Sequence, residues 1–188
     1  MKSSLIRALL LFCLALSLSF SVSAEPKDAR DDFFENLKAL CGQSVEGETD
    51  LIVGTANDSM AGARLLLRFA TCSENEIRVP LQVDADHSRT WIIQRGENGL
   101  LLKHDHRHAD GTPDEVTNYG GWAESNGTAH RQFFAADEET RKLFPHADNA
   151  GWTIMLEPDQ QRLVYFVENK GEVRYRAVFD LKTARTID

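Results

Sequence analysis

Three of the chain's six histidines lie within the five-residue segment 104–108. If this segment is a β-strand, the alternation of side chains places His104, His106 and His108 on one face. Two leucines precede them on the same face, so we expect this face to point into a core. Imidazoles at positions i and i+2 of a strand have the spacing to bind one metal ion or one ligand together.

Two interpretations of these histidines remain open. In the first, His104, His106 and His108 are the ligands of a divalent transition metal such as zinc. The spacing partly resembles the metal motif of cupins, although no glutamate stands where that motif needs one. In the second, the imidazoles belong to a polar layer in which neighbouring groups satisfy their nitrogens by hydrogen bonds.

A second candidate lies at Tyr119-Gly120-Gly121-Trp122. Glycine within a strand marks a bulge or a place where another group comes close to the backbone. Tyr119 and Trp122 flank the two glycines, and we expect them to line a ligand pocket together with His104 and His106. The alternative is a bulge that lets a strand bend.

The elements that must position these residues are mostly strands. A helical apolar period predicts one long helix over Asp28–Leu40, and a second, short helix is predicted over Asp137–Leu143. Elsewhere the period is two, interrupted by turn residues. Ten strands are predicted, near 51–55, 63–71, 75–83, 88–95, 99–107, 115–121, 128–134, 151–157, 161–168 and 172–180.

These elements predict a mainly β fold. The links between strands are too short for the crossovers that parallel strands need, so we expect an antiparallel meander. Closing about ten such strands removes their exposed edges and gives a calycin-like β-barrel with an N-terminal helix. The alternative is a two-sheet sandwich or jelly roll.

The chain's start and its cysteines predict export. Residues 1–24 have the basic start, short apolar core and small final residues of a signal peptide, which leaves one domain over 25–188. The even pair of cysteines in that domain, Cys41 and Cys72, is expected to form a disulfide in an oxidising compartment. We therefore predict a periplasmic or secreted location.

The composition limits the kinds of partner. The formal net charge is −8, which disfavours nucleic acid because the phosphates would be repelled. After residue 24, no segment approaches the ~20 apolar residues of a membrane-spanning helix. Small molecules and metal ions remain the expected partners, and composition does not indicate an oligomeric state.

Several stretches of the chain resemble a family of exported bacterial proteins of unknown function. The most specific is the histidine-rich stretch within Leu102–Gly111. The others are Phe33 to Gly42, Ala61–Leu65, Glu76–Pro80, Ser88–Trp91, Tyr119–Gly121 and Arg131–Phe133. The resemblance implies a location in the Gram-negative envelope or outside the cell, and it implies no activity.

The sequence therefore predicts an exported protein that binds a small ligand or metal ion near His104, His106 and His108. Two alternatives remain: a metal-dependent enzyme that uses the same histidines, and an envelope interaction module without a pocket. The shape of the barrel interior distinguishes the three.

Overall fold

The computed structural model describes residues 28–54, 58–145 and 149–187. Its first helix, α1 (Ala29–Lys38), begins directly after the first of these residues. The Asp28 carboxylate caps it by accepting the backbone N–H of Arg30 at 2.9 Å. Phe33, Phe34 and Leu37 form its buried face. The helix was predicted over nearly the same residues. The predicted signal peptide lies outside the described residues.

In the described part of the chain, twelve strands and a second helix follow α1. The strands are β1 (Gln43–Ile52), β2 (Arg64–Arg68), β3 (Thr71–Cys72), β4 (Glu76–Val83), β5 (Asp86–Gly96), β6 (Gly99–His106), β7 (Tyr119–Ala123), β8 (Arg131–Ala136), β9 (Ala150–Glu157), β10 (Arg162–Asn169), β11 (Glu172–Asp180) and β12 (Arg185–Thr186). The second helix, α2 (Glu138–Leu143), lies between β8 and β9. Alternating burial is clearest in β4, where every second side chain is buried.

The sheet closes on itself. Successive strands pair antiparallel, and β1 pairs with both β2 and β11. Of the twelve strands, β3 and β12 lie beside β4 and β1, so the ring contains the remaining ten. This closed ten-stranded barrel confirms the predicted fold class and is consistent with a calycin-like barrel. Closure excludes the open sandwich that was the alternative.

Strand β1 differs most from the prediction, which placed the first strand at 51–55. It begins eight residues earlier, at Gln43, and its Gly47 pairs with Phe179 of β11. A β-carbon at Gly47 would lie 2.3 Å from the Phe179 ring, so the inner face of β1 has no room for a side chain there. The glycine interrupts the alternation of apolar and polar side chains along β1. A search for a period of two therefore did not predict this strand.

One end of the barrel is filled and covered. Helix α1 packs across the end at which β6 begins, and its Phe33 ring lies 6.5 Å from that of Phe134 inside the barrel. The Asn36 amide donates to the Ala129 carbonyl at 2.8 Å and fixes the helix to the loop before β8. The Cys41–Cys72 disulfide, which was predicted, joins the segment after α1 to β3. We call this the closed end, and the opposite end, where β6 ends, the open end.

No helix in the described ranges is long and apolar enough to cross a membrane.

Candidate functional site

A cavity of about 640 Å³ occupies the half of the barrel next to the open end. That volume is in the ~300–1,000 Å³ range of small-molecule sites. Its walls are largely aromatic, with histidines and a few charged groups among the rings. The side chains that the following paragraphs use are Arg89, Trp91, His104, His106, Asp114, Tyr119, Trp152, Tyr165, Glu168 and Tyr175.

His104 lies on the inner face of β6 and is almost completely buried. Its Nε2 lies 2.8 Å from the Tyr165 hydroxyl, and its Nδ1 lies 3.3 Å from the Tyr119 carbonyl oxygen. A carbonyl only accepts, so Nδ1 carries the proton and Nε2 accepts the hydrogen bond from Tyr165. Burial lowers the pKa of His104 to about 3, which keeps the ring neutral at physiological pH.

The Tyr119 ring lies against His104, with 4.9 Å between the ring centroids and 10° between the planes. The Tyr119 hydroxyl lies 3.0 Å from Nε2 of His106, the next inward side chain of β6. Burial raises the pKa of Tyr119 to about 12, and burial followed by the Arg89 charge lowers the pKa of the half-buried His106. Two tyrosine–histidine pairs therefore line the wall, and both histidines favour the neutral form.

The neighbouring parts of the wall are aromatic as well. The Trp91 and Tyr165 rings are stacked, with centroids 4.6 Å apart, and the Trp152 ring lies 5.1 Å from that of His104. The Tyr175 hydroxyl lies 3.1 Å from the Thr49 hydroxyl, within hydrogen-bond distance. Each buried hydroxyl has a partner, so the rings present mainly their apolar faces to the cavity.

The structure places the other predicted site residues away from the cavity. His108 lies in the exposed loop after β6. Trp122 lies on the outer face of β7, with 41% of its surface exposed. Of the four residues predicted to bind a ligand, the cavity walls thus bring together His104, His106 and Tyr119.

The donor set does not fit a metal ion. Within residues 28–54, 58–145 and 149–187, no three His, Cys, Asp or Glu side chains lie close enough to hold one. Both ring nitrogens of His104 are engaged in hydrogen bonds, so a metal would have to displace Tyr165. The arrangement is instead the hydrogen-bonded polar layer that was the second interpretation of these histidines.

Lys103 lies on the outer face of β6 but is not solvated. It points outward as alternation requires, yet it is only 8% exposed because the start of α2 covers it. Its ammonium group donates to the Asp137 carboxylate at 2.6 Å, and the Glu139 carboxylate lies 3.4 Å away. This buried ion pair holds α2 against β6 beside the open end.

The two glycines of β7 lie beside α2, which is joined to the backbone of the first of them. The Thr140 hydroxyl donates to the Gly120 carbonyl at 2.8 Å and accepts the Gly120 N–H at 2.7 Å. A β-carbon at Gly120 would lie 2.0 Å from the Leu102 carbonyl oxygen, and one at Gly121 would lie 1.7 Å from that of Ala135. The pair therefore marks a close approach of β7 to the backbones of β6 and β8, and a close approach to another group is one of the two meanings that strand glycines have.

Sequence reasoning missed the aromatic wall and Arg89. Tyr165 and Tyr175 lie at inward positions of β10 and β11, within runs whose period of two predicts a strand but no site. A usable signal was present, since a tyrosine at an inward strand position must find a partner for its hydroxyl. Arg89 lies two residues before Trp91 on the inner face of β5, and a charged group at such a position marks a site.

No family model matches the chain, and neither the curated proteins nor the solved structures contain a match.

Proposed function

We propose that this protein binds a small, mainly apolar organic molecule in the cavity at the open end of the barrel. The observation that carries the proposal is the cavity itself: about 640 Å³ inside a closed barrel, enclosed by aromatic rings and entered from one end. A concave apolar site with a few convergent polar groups is the usual form of a small-molecule site.

The electrostatics of the wall support an apolar body for the ligand. His104 is neutral, and its partner Tyr165 has a pKa raised well above its usual value because it is buried. Neutral, mutually bonded groups demand no partner from the ligand, so they act as fixed walls. Apolar surface placed against Trp91 and Trp152 leaves water, which is the main source of affinity in such a site.

We also propose that the protein works outside the cytoplasm. The Cys41–Cys72 disulfide supports this location, because disulfides persist mainly in oxidising compartments. The signal-like segment at residues 1–24 supports it independently. The periplasm and the extracellular space fit these observations equally.

Titration with Nile red, a neutral apolar dye that brightens in dry surroundings, tests binding directly. The informative variant is Ala150→Phe, because Ala150 opens β9 and lines the cavity, so that a ring there fills ligand space. We expect the dye affinity to fall about tenfold or more, equivalent to about 1.4 kcal/mol. The matched control is Met155→Phe, which adds a ring on the outer face of the same strand.

Two results would contradict the proposal. One is a wild-type protein that does not bind the dye. The other is an equal loss of affinity in both variants, because the outer-face variant leaves the cavity unchanged. Thermal melting of all three proteins shows whether each variant is folded.

A further inference from the structure

Two arginines, Arg89 and Arg174, line the cavity, and they differ in direction: Arg174 is an outward residue of β11, next to the inward Tyr175. Arg89 lies on β5 two residues before Trp91, so alternation directs it inward. It pairs across the sheet with His106 of β6 and Leu81 of β4, and both of these also line the cavity. Its side chain is 20% exposed, which places the guanidinium at the mouth of the cavity, between solvent and the rings.

This guanidinium is only partly satisfied by the protein. One of its terminal nitrogens donates to the Asp86 carboxylate. A guanidinium has five N–H donors, and among the residues described here no other group accepts from Arg89. Asp86 is 43% exposed, so water screens its charge more than that of Arg89.

The carboxylates of Asp114 and Glu168, which line the same cavity, each accept a hydrogen bond from a group other than Arg89. The Asp114 carboxylate accepts the backbone N–H of Val116 at 3.0 Å and so caps the turn before β7. The Glu168 carboxylate accepts the Thr153 hydroxyl at 2.6 Å. Neither one bonds to Arg89, which keeps its remaining donors for a group that enters the cavity.

From this placement we propose that the ligand is an organic anion, with an apolar body against the rings and a carboxylate or comparable oxyanion on Arg89. This inference rests on the proposed binding function and names its ligand class. The guanidinium fork matches a carboxylate with two parallel hydrogen bonds. The direction of Arg89 also agrees with the lowered pKa of His106, to which burial contributes most and the charge of Arg89 next.

Displacement of Nile red by three probes of one shape tests this inference. The probes are naphthylacetate, its methyl ester and naphthylethylamine, which are anionic, neutral and cationic. The ester lacks the charge that strengthens a hydrogen bond to the guanidinium, so naphthylacetate should bind about tenfold or more tightly than the ester. The amine should bind most weakly.

Two variants should move this preference in opposite directions. Arg89→Gln should make the anion and the ester bind equally. Asp86→Asn removes the competing carboxylate and should strengthen the preference for the anion. Arg176→Gln, on β11, is the matched control and should leave the preference unchanged, because Arg176 points to the outer face, where it pairs with Asp50.

The outcomes separate the two proposals. If Nile red does not bind, the binding function fails, and the ligand class fails with it. If Nile red binds but the ester equals the anion, or the amine binds best, only the ligand class is overturned. A preference that survives Arg89→Gln overturns it as well. If Arg89→Gln does not fold, Asp86→Asn decides, since an unchanged or weaker preference in that variant contradicts the role of Arg89.

Discussion

The two ends of the barrel are built from the same strands in different ways. At the closed end, inward residues such as Ile77, Ile93 and Leu100 are aliphatic and fully buried, and Phe33 of α1 fills the remaining space. At the open end, the inward residues of the same sheet are Trp, Tyr, His and Arg, and a cavity remains between them. Along β6 the inward residues change from aliphatic to polar between Leu102 and His104.

This difference shows how a barrel separates stability from binding. Branched aliphatic side chains interdigitate and leave few voids, which is what a stabilising core needs. Large rigid rings whose polar tips bond to one another, such as Tyr165 on His104, support walls without filling the interior. Mutations at the two ends should therefore have different consequences.

The largest expected effect is on stability, at the closed end. Phe33→Ala removes a fully buried ring and should lower the free energy of unfolding by about 3–5 kcal/mol. Val116→Ala, at the open end, truncates a side chain that is 43% exposed and should change it by less than about 0.5 kcal/mol. Urea unfolding followed by circular dichroism measures both, and equal losses would contradict the distinction between the ends.

The disulfide should come next. It joins cysteines 31 residues apart, and a loop of that size predicts a loss of roughly 3–4 kcal/mol when it is removed. A Cys41→Ser/Cys72→Ser double variant, unfolded in urea, gives this value. Because the bridge lies at the closed end, the affinity for Nile red below the unfolding transition should stay within about twofold of wild type. A larger loss of dye affinity in the folded variant would show that the two ends are energetically coupled and would contradict this prediction.

A pH titration of stability tests the open end. The folded-state pKa of His104 is lowered to about 3, so between its ordinary value of 6.5 and that value only the unfolded chain takes up the proton. The free energy of unfolding should therefore be level above pH 6.5 and fall as the pH decreases. His104 alone accounts for about 2 kcal/mol between pH 6.5 and 5.

His104→Gln is the variant that isolates this contribution. It should flatten the pH dependence without removing it, because the pKa of His106 is lowered too. An unchanged slope in this variant would mean that His104 is protonated in the folded protein.

The smallest expected effect is at Trp122. This residue was predicted to line the ligand site, but it lies on the outer face of β7 with 41% of its surface exposed. Trp122→Phe should leave the affinity for Nile red within about twofold, equivalent to about 0.4 kcal/mol. A larger loss of affinity in the same dye titration would indicate that the dye binds at the outer surface near Trp122.

Local patterns were sufficient for most of the fold. The period-two runs located β4, β5, β6, β10 and β11, and the helical period located α1, because each has one continuous apolar face. Strand β1 escaped because its inner face includes Gly47, which makes room for Phe179. That fit depends on a strand more than a hundred residues away, and a local pattern does not contain it.

The site was only partly predictable for the same reason. Alternation correctly directed His104 inward, since Leu100 and Leu102 set the face. The burial of Lys103 depends on α2, which the Gly120 backbone admits through its contacts with Thr140. The cavity itself depends on how rings from five strands meet, and sequence spacing does not determine this.

The indole N–H resonances of the tryptophans give the most direct test of the binding site. The chain has three tryptophans, and of these Trp91 and Trp152 line the cavity while Trp122 lies outside it. In a ¹⁵N-labelled sample, assigned by Trp→Phe variants, naphthylacetate should shift the resonances of Trp91 and Trp152 with one common dissociation constant and leave that of Trp122 in place. A shift of Trp122 alone, or of none of the three, would contradict a ligand site inside the barrel.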